Sequence, residues 1–148
     1  MNNIVREEEK RAEEDIARML EEKCNCEVYL QNRYSQFDLI GIKEKEPIFF
    51  AEVRTRKVGK NKYPDFMIAL SKIIAADQLS SITNLPCMLV VRWEDKTGIC
   101  FLTRVKEREI FRVPIKDISM SENWKDTRKG QTYREVMAHI SVEEFKDV

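Results

Sequence analysis

The run Ile48-Phe49-Phe50-Ala51-Glu52-Val53 constrains this chain more than any other segment. A strand with one face in water alternates apolar and polar residues. This one does not, so both of its faces must be covered. Such a strand belongs at the centre of an α/β protein, in a sheet with helices packed on it. The surrounding segments agree. Residues 3–23 place Val5, Ala12, Ile16, Met19 and Leu20 on one stripe among Glu, Arg and Lys, which predicts an amphipathic helix. Val28–Leu30 and Phe37–Ile42 read as strands, with a turn at 43–47 before the central strand. Pro64 suits the first turn of a second helix reaching about Ser81. Strands follow at Cys87–Trp93, Ile99–Arg104, Ile110–Val113 and Met137–Ile140. Residues 119–132 are polar and read as a loop. Ser141 and Glu144 have capping-box spacing for a short terminal helix.

The 148 residues suit a single domain, 1–148, with one core. The first 20 residues are charge-rich and no apolar run approaches a membrane span, so a cytoplasmic protein is expected. Lys plus Arg and Asp plus Glu number 26 each, so whole-chain charge gives no argument for nucleic-acid binding. A local patch must carry any such function, and the chain has one. Arg54, Arg56, Lys57, Lys60 and Lys62 form a basic segment directly after the central strand. The same segment could equally be a solvated loop. Cys87 and Cys100 lie in apolar runs and read as buried thiols. Cys24 and Cys26 fit no zinc spacing on their own.

Two acids stand out by context. Asp38 lies inside Phe37-Asp38-Leu39-Ile40, and Glu52 interrupts the central strand. A carboxylate in such surroundings costs several kcal/mol unless it is paired or binds a cation. A short turn joins the two strands, which makes them antiparallel neighbours whose carboxylates can converge on one divalent ion. Hard oxygen ligands suit Mg²⁺ or Mn²⁺. Alternation puts Arg54 on the face of Glu52, so a cation and a metal-binding carboxylate would point at one spot. Phosphodiester hydrolysis needs that combination. The bland reading is a core ion pair between Glu52 and Arg54 in a structural or assembly protein.

Phe37-Asp38-Leu39-Ile40 followed by Phe49-Phe50-Ala51-Glu52-Val53-Arg54-Thr55-Arg56 resembles the D-L-I … F-V-E-V-K-T-R run of the PD-(D/E)XK nuclease superfamily. The likeness is to its Holliday-junction-resolvase-like and small bacterial or phage members. It implies a restriction-endonuclease-like fold, a mixed central sheet flanked by helices. It further implies a metal-dependent DNA nuclease. Asp38, Glu52 and the carbonyl of Val53 would hold Mg²⁺ or Mn²⁺, and Glu13 on the first helix would assist. DNA would be the partner, gripped by Arg54, Arg56, Lys57, Lys60 and Lys62, and a homodimer could cut both strands. One departure matters. The family's lysine position holds Arg54, which stays protonated and cannot act as a general base. Lys72 on the following helix resembles a position where some members carry a lysine, and Lys57 is the other candidate. The departure leaves open a catalytically inactive DNA-binding relative. Tyr63 could stack on a base or merely pack. Gln78 reads as a surface amide, His139 as a strand residue without a role, and Trp93 and Trp124 as packing residues.

Overall fold

The computed structural model describes residues 3–32, 34–126 and 131–148. Helix α1 (Asn3–Cys24) leads into β1 (Glu27–Leu30), β2 (Leu39–Lys43) and β3 (Glu46–Thr55). Then come β4 (Asp65–Ala69), α2 (Leu70–Thr83), β5 (Cys87–Arg92), β6 (Thr97–Lys106), β7 (Glu109–Arg112), β8 (Asp117–Asp126), β9 (Gln131–Ser141) and β10 (Lys146–Asp147). The main sheet runs β1-β2-β3-β5-β6-β10, with β7 also on β6. It is mixed, because β3 and β5 are parallel while the other pairs are antiparallel. The crossover between β3 and β5 carries β4 and α2.

The central strand is covered on both sides. Ala51 and Val53 of β3, with Met88 and Val90 of β5, pack against Ile16, Ala17 and Leu20 of α1. Phe50, Leu89 and Val91 point the other way, into a cluster with Ile73 and Ala76 of α2. Strict alternation along β3 and β5 therefore feeds two cores, one under each helix.

Three expectations need correction. Pro64 does not open a helix. Asp65–Ala69 is a strand whose Phe66 and Ile68 are buried, and it pairs with β9. The period-2 pattern and its partner outweigh the proline signal, and α2 starts only at Leu70. Of the expected loop 119–132, residues 119–126 and 131–132 belong to β8 and β9, which pair from Asp117↔His139 to Asp126↔Gln131, and residues 127–130 lie outside the described residues. Ile118-Ser119-Met120-Ser121 alternates as a strand should, yet Ile118 and Met120 stay exposed, so its composition reads as polar surface. Ser141 caps a 3-10 turn, Val142–Glu144, and its hydroxyl accepts from Glu143 N–H at 3.2 Å. The chain then enters β10 rather than a helix. The Trp124 side chain lies outside the described residues. Trp93 is buried, edge-to-face with Phe66 and Phe145.

Candidate active site

Asp38 is the residue that leads into β2, and Glu52 lies three residues before the end of β3. The antiparallel register sets Leu39 opposite Ala51, which brings the two acids together at one end of the strand pair. Asp38 is fixed by the backbone: its Oδ2 accepts from Val53 N–H at 2.8 Å. Glu52 is 3% exposed and points to the α2 side of the sheet, alternating with Ala51 and Val53. Arg54 follows two residues on, on the same side. Its Nη1 donates to Glu52 Oε2 at 2.5 Å and to the carbonyl of Val53 at 3.3 Å. Lys72 comes from the first turn of α2, its Nζ 3.5 Å from the same Glu52 oxygen. The Lys72 ammonium also donates to the carbonyl of Gln36 and sits 5.3 Å from the Phe37 ring centre. A lysine on the helix thus reaches the carboxylate that Arg54 holds from the strand.

Glu13 reaches the cluster from α1. Together with Glu9, Asp38, Val53, Arg54, Thr55 and Arg56 it lines a cleft of about 230 Å³. Burial pushes the Glu52 carboxyl up to about 7; Arg54 and Lys72 oppose this, while the Asp38 charge and a hydrogen bond with Asp38 add to it. Glu13 is also pushed up to about 7, first by burial, then by the charges of Asp38, Glu9 and Glu52, with Arg54 acting against them. Two carboxyl groups raised together, each first by burial and then by neighbouring acids, mark a site where negative charge is costly to hold. Glu9 was not singled out from sequence. Its signal is spacing, since it stands four residues before Glu13 on one helix face.

The donor chemistry fits a hard divalent cation: two facing carboxylates and a main-chain carbonyl, all oxygen. Among the described residues no three His, Cys, Asp or Glu side chains are grouped as a complete metal cage. Arg54 holds both Glu52 and the carbonyl of Val53.

The basic segment divides. Arg56 is half-buried, its guanidinium 4.7 Å above the Phe66 ring, with Nη1 donating to the carbonyl of Thr55 at 2.9 Å. Lys57 and Lys62 are exposed. Lys60 is different. Its side chain is only 11% exposed, and its ammonium is held by Asp147 at 2.6 Å and the carbonyl of Phe145 at 2.9 Å. It ties the segment to the C-terminal strand. Tyr63 is exposed and Gln78 lies on the outer side of α2. His139 has its Nε2 2.7 Å from Ser119 Oγ and its Nδ1 3.7 Å from Asp65.

A mixed sheet between two helices, with an acidic pair and two cations at the end of its β2–β3 hairpin, defines a restriction-endonuclease-like protein. The chain belongs to the family described as "Phage putative PDDEXK endonuclease", whose pattern it matches over residues 6–148. Its fold is similar to that of Hjc, a Holliday junction resolvase from Archaeoglobus fulgidus. The TM-score is 0.51 and the identity 11%, over 70% of this chain and 81% of that one. No protein with a curated description matches the sequence. No helix among the described residues is long and apolar enough to cross a membrane.

Proposed function

We propose that this protein is a metal-dependent DNA endonuclease that hydrolyses phosphodiester bonds at the Asp38–Glu52 site. The observation behind this reading is the buried Glu52 carboxylate, faced by Asp38 and held at once by Arg54 and Lys72. Mg²⁺ or Mn²⁺ would be held by Asp38, Glu52 and the carbonyl of Val53, with Glu13 beside them. The bound ion would supply Lewis-acid neutralisation of the phosphate and a lowered pKa for the attacking water.

The chain's own groups do the rest. Arg54, on the same face as Glu52, would present its planar donor set to a non-bridging phosphate oxygen, where charge grows in the transition state. Lys72 stays against Glu52 and favours its ionised form against the burial that raises its pKa. Arg56, Lys57 and Lys62 grip flanking phosphates, while Lys60 holds the segment's shape. Cutting both strands needs two such sites, so a homodimer on DNA accompanies this reading.

A second reading has its own observation. Arg54 occupies the lysine position and covers both Glu52 and the Val53 carbonyl, as in a nuclease relative without activity. Incubating the protein with supercoiled, linear and branched DNA in Mg²⁺, Mn²⁺ and EDTA decides between them. Cleavage that needs the ion and disappears in Glu52→Gln supports the enzyme. DNA binding without cleavage on every substrate supports the second reading.

A further inference from the structure

We propose that a second cavity, beside the acidic cleft, receives one unpaired nucleobase of the DNA strand. The proposal rests on the nuclease reading above and names the form of DNA that the site selects. The cavity has a volume of about 450 Å³, within the range of ~300–1,000 Å³ usual for small-ligand pockets. One wall is the segment from Arg56 to Pro64, and another is strand β4 with Met137 and His139 of β9.

The lining has the chemistry of a nucleobase, which is flat and apolar on its faces and polar on its edge. Tyr63, Trp93 and Phe66 supply aromatic surface, and Met67 and Met137 supply soft apolar surface. Asp65 and His139 give the cavity a polar side. Tyr63 is 58% exposed although it is a large aromatic residue on a loop. A ring exposed at the mouth of such a cavity is suited to stacking on something brought from outside.

Position supplies the second argument. Arg56 lines this cavity and the acidic cleft alike. Whatever fills one lies a single side chain from the other. The exposed cations Lys57 and Lys62 flank lining residues in sequence and suit a polyanionic backbone running past the mouth. A base stacked within duplex DNA cannot enter such a cavity. One that is unpaired, or already turned out of the helix, can do so at little cost. The occupant is therefore a base next to the scissile phosphate at a gap, branch or bulge.

The test uses the full chain in EDTA, where DNA is bound without being cut. The probes are a fully paired duplex and the same duplex with a single unpaired 2-aminopurine. Fluorescence anisotropy gives each affinity, and 2-aminopurine emission reports the surroundings of the base. Wild type should bind the unpaired probe about 10-fold more tightly, the scale of one aromatic stacking contact, with a change in emission. Tyr63→Ala should bring the ratio of the two affinities towards one, and Tyr63→Phe should restore it. Met67→Trp, made at an exposed position that projects into the cavity, should lower the ratio in the same way. Equal affinity of wild type for both probes, with unchanged emission, overturns the base site but leaves DNA binding intact. Failure to bind either probe, in EDTA and again with Ca²⁺ in its place, overturns the nuclease reading as well.

Discussion

The Glu52→Gln variant tests whether the acidic site stores unfavourable charge. In the unfolded chain this carboxyl titrates near its ordinary 4.5, and in the folded protein near 7. Between those values the folded state holds more protons than the unfolded one. Stability must therefore fall as pH rises through that window, with the full loss present above it. A displacement of this size corresponds to about 3 kcal/mol, carried by a residue that is 3% exposed. For a chain of this length that is roughly 6–12 °C in Tm. Glu13 shifts in the same direction, but it is half-exposed and solvent screening reduces its share. Glutamine keeps the shape, accepts from Arg54 through its oxygen and donates to Asp38 through its nitrogen. It removes the charge without leaving either partner alone.

Calorimetry in EDTA at pH 5 and pH 8 measures the effect. Wild type should melt at a lower temperature at the higher pH. Glu52→Gln should match wild type at the lower pH and melt several degrees above it at the higher. The comparison between the two proteins cancels the titrating groups that Glu52 does not influence, while Glu13, raised in part by the Glu52 charge, changes in the same direction. Saturating Mg²⁺ at pH 8 should raise wild type by the linkage expected for a ligand of the folded state, and should do little for the variant. If Glu52→Gln melts below wild type at pH 8, the Arg54–Glu52 pair is a net stabilising contact. The site would then be structural and the argument from charge deficit would fail.

Four further outcomes follow from the cations. Arg54→Lys should keep substantial cleavage, because positive charge at the phosphate survives, whereas Arg54→Ala should lose about 10²-fold; equal rates from the two variants in a gel-based assay would remove Arg54 from the reaction. Lys72→Ala should slow cleavage and move the pH–rate profile, since Glu52 loses the cation 3.5 Å away, and an unchanged profile would confine Lys72 to packing on Phe37. Neutralising Arg56, Lys57 and Lys62 together should flatten the slope of log affinity against log salt by up to about 0.9 per lost phosphate contact. Lys60→Ala should instead lower Tm and leave that slope alone, because its ammonium is held by Asp147 and Phe145.

The acidic pair was legible in the sequence because its cost is local. Asp38 and Glu52 each interrupt an apolar run, and the short turn between their strands fixes them as neighbours. The likeness to the PD-(D/E)XK run rests on those same residues, and the family match and the fold agree with it. Lys72 was nominated by its likeness to a helix position where some family members carry a lysine, and α2 brings it to Glu52. Lys60 was not legible as distinct from its basic neighbours. Its role depends on β10, which begins 86 residues later, and no local pattern encodes that contact. His139 was set aside for the same reason. It looked remote from the motif until β4, inserted before α2, paired with β9 and drew Asp65 towards it.

Those long-range pairings place the cations in two groups with different work. Arg54 and Lys72 converge on one buried carboxylate, where the proposed reaction would use them. Arg56 stands between the acidic cleft and the larger cavity and lines both. An arginine at the lysine position need not mean lost chemistry in such an arrangement. Arginine on the strand brings a planar donor set suited to the phosphate, and Lys72 behind it supplies a second charge that favours ionised Glu52. The chemistry would then be divided between strand and helix, and only loss of both cations together should abolish it.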